Sequence, residues 1–159
     1  MTDQVVPSQV KMVIRSVRSL IAEALKTRIE TVRELRYVAY DRIRLRMADF
    51  GDTELPAVQI IDVSDTRVEQ QGARAKRSWF LEVEVIMRST ENLVINQQDL
   101  WNLCESVERA IMREPTLGVK GVLHCLVNDL RTDLHLDDPL YFGIIELEVQ
   151  YFQNQVRDC

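Results

Sequence analysis

The stretch Ser78-Trp79-Phe80-Leu81-Glu82-Val83-Glu84-Val85-Ile86-Met87-Arg88-Ser89 decides the fold. Trp79, Leu81, Val83, Val85 and Met87 fall on one side of an extended chain, and Phe80, Glu82, Glu84, Ile86 and Arg88 fall on the other. The alternation predicts a half-buried strand. A strand cannot bury an apolar row alone, so this one requires strand neighbours and a layer packed over its inner side. Residues 58–63 and 141–152 are the expected neighbours. In the first, Val58, Ile60 and Asp62 alternate with Gln59, Ile61 and Val63, and Pro56 stands where a strand can begin without an amide donor. In the second, Ile145, Leu147, Val149 and Tyr151 alternate with Ile144, Glu146, Glu148 and Gln150. Both long strands carry paired glutamates, which would repel if adjacent, so either an arginine row separates them or the strands do not meet on that face.

Two segments have helical period. Over residues 8–26, Val10, Val13, Ile14, Val17, Leu20, Ile21, Ala24 and Leu25 form one stripe, with Ser8 after Pro7 as the expected cap. Lys11, Arg15 and Arg18 then line the outer side, solvated or turned to a partner. Asn96 followed by Asp99 opens the second helix, whose buried stripe is Leu100, Leu103, Cys104, Val107, Ala110 and Ile111, stopped by Pro115. Residues 28–38 fit either a continued helix or a loop. From Asp41 the period is two: Ile43, Leu45 and Met47 alternate with Arg42, Arg44 and Arg46, a strand whose arginine row would grip phosphate or an acidic partner, or else pair with Glu82 and Glu84. Residues 66–77, with one glycine and the cations Arg67, Arg74, Lys76 and Arg77, read as a mobile loop and as the first candidate for a contact surface. Residues 122–130 make a further strand.

The totals describe one domain over residues 1–159, with 1–7 and 153–159 frayed. Hydrophobic residues at 46% and charged residues at 28% fit a soluble globular chain without a membrane span or secretion signal. Three cysteines without paired spacing argue against a disulfide framework and fit a reducing interior. A net charge of −5 disfavours nonspecific nucleic-acid binding. Residues 1–80 hold 14 Lys/Arg against 11 Asp/Glu and residues 81–159 hold 6 against 14, a division that suits head-to-tail association unless folding intermixes the halves.

Residue chemistry points to no reaction. There is no Gly-x-Ser-x-Gly elbow, phosphate-cradling glycine loop or Cys-x-x-Cys. His124 and Cys125, as strand neighbours, point to opposite faces and make no thiolate pair. The best enzyme-like group is His135 with Asp133, Asp137 and Asp138, which would suit a small metal-dependent hydrolase but reads more simply as a turn, so neither metal nor cofactor is expected. The glutamates of the two long strands read as solvent-facing rows, not paired acids.

Several local patterns resemble the tail terminator proteins of long-tailed bacteriophages, minor tail proteins that cap the tail tube. They are the amphipathic helix from Val10 to Leu25, the Leu55-Pro56-Ala57-Val58 lead-in to a strand, the alternating strand over 80–87, the helix over 99–111 ending in Ala110-Ile111, and a closing strand ending Val149-Gln150-Tyr151. The resemblance implies an α+β domain with a mainly antiparallel or mixed sheet covered on one face by two helices, assembled as a hexameric ring in the virion. It implies a non-enzymatic structural protein that ends tube growth. Its partners would be its own copies, the tail tube protein, a neck or head completion protein and, in contracting tails, the sheath; DNA passes only as cargo, and no membrane is involved. The nearest alternative is another head-tail connector protein. The interaction residues expected are Arg67, Arg74, Lys76 and Arg77, with Arg42, Arg44 and Arg46.

Overall fold

The alternating stretch lies within a central strand. A computed structural model of the chain describes residues 16–40, 50–91, 94–133 and 140–154. The elements run α1 (Val17–Ile29), β1 (Tyr37–Ala39), β2 (Ala57–Gln71), β3 (Arg74–Arg88), α2 (Gln97–Met112), β4 (Val122–Asp133) and β5 (Leu140–Asn154). The strands form a mixed sheet in the order β1-β2-β3-β5-β4. β1 runs parallel to β2, and every other pairing is antiparallel. The expected neighbours of β3 are therefore its actual neighbours, and the fold is a single α+β sheet with two helices on one face.

That face is built as the alternation requires. Trp79, Leu81, Val83, Val85 and Met87 of β3 and Ile145, Leu147, Val149 and Tyr151 of β5 are buried in one cluster with the inner sides of both helices. α1 supplies Ile21, Leu25 and Ile29, and α2 supplies the full predicted stripe from Leu100 to Ile111. Each large apolar side chain so buried stabilises the fold by about 1.5–3 kcal/mol. Asn96 caps α2 through a reciprocal capping box with Asp99, which fixes where the helix starts. A second, smaller cluster of Phe50, Leu55, Ala57 and Ile86, with Tyr37 against it, covers the start of the opposite face. Beyond it that face is open in the sense that no described helix covers it, and on it Gln59, Ser78 and Glu84 are buried.

Several expectations are corrected. The first helix starts at Val17 rather than Ser8, because Ser16 has extended backbone and its hydroxyl accepts the Ser19 amide as the cap. The earlier part of the expected stripe, with Lys11 and Arg15, lies outside the described residues. The uncertain 28–38 segment resolves into the end of α1, a turn and β1. The expected mobile loop at 66–77 is the far end of a hairpin in which β2 and β3 pair from Ala57 with Ile86 to Gln71 with Arg74. Its two-residue turn has Gly72 at φ +58°, a conformation that glycine adopts without strain. Glu84, expected to face solvent, the arginine row or a neighbouring subunit, is buried away from solvent and accepts from the Gln59 side-chain amide at 2.6 Å. Residues 153–154, expected to fray, belong to β5.

Candidate functional site

The hairpin end and the open sheet face form the candidate contact surface. Around the hairpin end, the four cations expected to act together are divided by strand geometry. Arg77 points to the helix side, where its Nε donates to Asp65 Oδ1 at 2.8 Å and its Nη2 to the Asp65 carbonyl oxygen at 3.3 Å. The Tyr151 hydroxyl donates to the other carboxylate oxygen of Asp65 at 2.5 Å, and Arg18 Nε stands 3.6 Å from it. The guanidinium of Arg18 also lies 5.9 Å from the Trp79 ring centroid, and the Trp79 indole donates to Asp62 Oδ1 at 2.9 Å. Arg18 thus faces the sheet instead of the outer side. The Asp65 hydrogen bond, reinforced by its charge, holds the Arg77 guanidinium above its ordinary pKa against the cost of burial. Burial, then the bond to Asp65, pushes the Tyr151 phenol up. Arg77 is therefore a brace inside the subunit.

The remaining cations are displayed. Arg67 lies exposed on β2 opposite Arg77 in the ladder. Arg74 and Lys76 lie on the open face, and the Arg74 guanidinium sits 4.5 Å from the Phe152 ring centroid. Lys76 is registered with Glu69 of β2, and Arg67 and Arg74 are exposed.

Towards the middle of the open face the charge reverses. Glu82 of β3 lies directly opposite Glu146 of β5, and Glu146 in turn lies opposite Asp129 of β4. The glutamate rows are thus neighbours, contrary to expectation. Arg131 from β4 relieves their repulsion: its Nη2 is 2.6 Å from Glu146 Oε1 and 3.7 Å from Glu82 Oε1, and its Nε is 3.8 Å from Asp129 Oδ2. Beside them Glu148 accepts from the Ser78 hydroxyl at 2.6 Å, from Gln150 at 3.1 Å and from Asn128 at 3.4 Å. The Ser78 bond first, and the two amides after it, hold the Glu148 carboxyl below its usual range. Among the described residues one guanidinium stands among four carboxylates, an acidic group.

No protein-family model matches this chain, and no curated protein matches it either. The surface is accordingly read from its own chemistry. His124 is registered with Gln150 on the open face, while Cys125 is registered with Val149 under the helices, so the two residues do diverge. Burial pushes the Cys125 thiol up to about 12 and, with help from Glu105 and Glu108, that of Cys104 to about 12 as well, far from a reactive thiolate. Among the described residues no group of three or more His, Cys, Asp or Glu side chains is placed to hold a metal ion. His135, Asp137 and Asp138 lie outside the described residues, as do Arg42, Arg44 and Arg46. No described helix is long and apolar enough to cross a membrane.

Sequence reasoning missed Asp65 and Arg131, the two residues that organise these charges. Tyr151 held a clue to the first, since a tyrosine on the buried side of a strand needs a partner for its hydroxyl. Arg131 carried no comparable signal, because its role depends on β4 lying beside β5.

Proposed function

We propose that this chain forms a hexameric ring capping the head-proximal end of a bacteriophage tail tube, ending tube growth and presenting a surface to a neck or head completion protein. The observation that carries the reading is the one-sided sheet. Two helices seal one face, while the other offers half-buried apolar positions such as Phe80 and Ile144 among charged rows. Such a subunit has surface for other copies without sacrificing its own core. The segments that carry the terminator resemblance fall in α1, at the start of β2, and in β3, α2 and β5.

Repeated head-to-tail contacts close into a ring when the rotation between copies is right. One face of the ring then matches the tube, and the other lacks the surface that another layer of tube subunits needs, so growth stops. Arg67, Arg74 and Lys76 serve as contacts to the tube or a neighbouring copy. In a contracting tail the ring also meets the sheath, and DNA passes through its channel as cargo. The reading assigns the chain no catalytic step and no cofactor, and places it in the virion.

Light scattering for mass, combined with negative-stain imaging of the purified chain alone and mixed with tail tube subunits, tests this function. A hexameric mass and rings with a central hole are expected. A monomer at every concentration, both alone and with tube subunits, overturns the reading.

A further inference from the structure

Among the described residues the charge on this subunit is separated along the sheet. The hairpin end carries Arg74 and Lys76 with Glu69 on the open face and Arg67 beside Arg77 on the other, whereas the middle of the open face carries Glu82, Glu146, Glu148 and Asp129 against Arg131. Lys76 and Glu82 are on the same strand and the same face, about 20 Å apart at about 3.3 Å per residue. That is more than twice the Debye length of about 8 Å at physiological salt, so Lys76 and Glu82 do not compensate one another, and of the acidic group Glu148, bonded to Ser78, lies nearer the cationic end.

We infer that the acidic middle of the open face is the surface on which the next copy of this chain docks, through the cationic end of its β2–β3 hairpin. The contact rests on the ring reading and deepens it by naming both sides of the subunit interface. Its geometry is head-to-tail, because each copy offers one cationic end and one acidic face in different places. The hairpin is well suited to such a contact, since its turn residues Gly72 and Ala73 are exposed and its strands are held by a ladder to the last pair. Arg74, stacked on Phe152, is presented from a fixed position, which lowers the ordering cost of binding. The acidic face is equally well prepared, since Arg131 holds Glu82 and Glu146 in place without using up their charge.

Two charge-reversed variants of the full chain test the contact. One carries Asp129→Lys with Glu146→Lys, and the other Arg67→Glu with Arg74→Glu. Each variant alone should self-associate at least tenfold more weakly than the unaltered chain in sedimentation velocity at low salt. Their equimolar mixture should regain assemblies larger than a dimer, because each reversed surface then meets a complementary one. Circular dichroism confirms that each variant is folded, and the mixture supplies the control against trivial damage. If both variants assemble like the unaltered chain, the docking surface is wrong and the ring stands on other contacts. If the mixture stays monomeric or stops at a dimer, head-to-tail docking through these patches is overturned. If the unaltered chain forms no ring, alone or with tube subunits, the ring reading falls and this interface with it.

Discussion

Asp65 shows how one side chain can secure the end of a sheet. It is 7% exposed at its side chain and takes hydrogen bonds from both Arg77 and Tyr151, with Arg18 close by. Asp65→Asn removes the charge but keeps the shape, leaving a partly buried guanidinium poorly paired. We expect it to lower stability by about 2 kcal/mol in urea unfolding, and Tyr151→Phe by about 1 kcal/mol. The double variant should lose less than the sum, since both changes remove one shared bond; full additivity would show that the bond contributes nothing. Glu148 governs a pH effect at the same scale. Its folded pKa is depressed, so its contribution to stability is present above the unfolded value of about 4.3 and is lost as pH falls through the folded value. Glu148→Gln should therefore flatten the acid limb of a plot of melting temperature against pH. An unchanged acid limb would show that its hydrogen bonds to Ser78, Gln150 and Asn128 do not stabilise the charged form.

At the scale of elements, the seating of α2 on the sheet turns on a glycine. Gly143 of β5 is registered with Val85, and a Cβ built on it would lie 2.7 Å from Cys104 Sγ. Any larger residue pushes α2 away from β5. Gly143→Ala should cost about 1–3 kcal/mol, and combining it with Cys104→Ala should recover part of that loss. Independent costs in denaturant titration would place the crowding elsewhere. α2 itself was legible in sequence because its signals are local: a capping box, a six-residue apolar stripe at helical spacing, and Pro115 just past its end. The β2–β3 hairpin was not legible. Ladder shifts at Val63 and Val68 insert one extra residue each, so the period-two pattern of β2 breaks twice within a few residues. With charges on both sides of the strand, what remains looks like a loop.

For the molecule as a whole, the sheet order sets a gradient of protection. β3 and β5 are paired on both sides, while β4 forms the edge beyond β5. Amides of Val83, Val85, Ile145 and Leu147 should exchange with deuterium most slowly, and alternate amides of β4 much faster. Equal protection along β4 in the isolated subunit would mean that its outer edge is covered. In the ring, protection gained at Glu82, Asp129 and Glu146 would mark the proposed docking face.

The sequence by itself determined the alternation of β3 and β5, the side of each that is buried, the extent of α2 and the one-sided layering that follows from them. These depend on periodicity and capping, which are written within a dozen neighbouring residues. Only the tertiary structure decided that the glutamate rows adjoin, that Arg131 reconciles them, that Arg77 turns inward to Asp65, and that the supposed loop is paired to its tip. Each of these depends on which strands lie side by side and in what register. Residues 65 and 151, or 82 and 131, meet only through the sheet, and no local pattern encodes that distance along the chain.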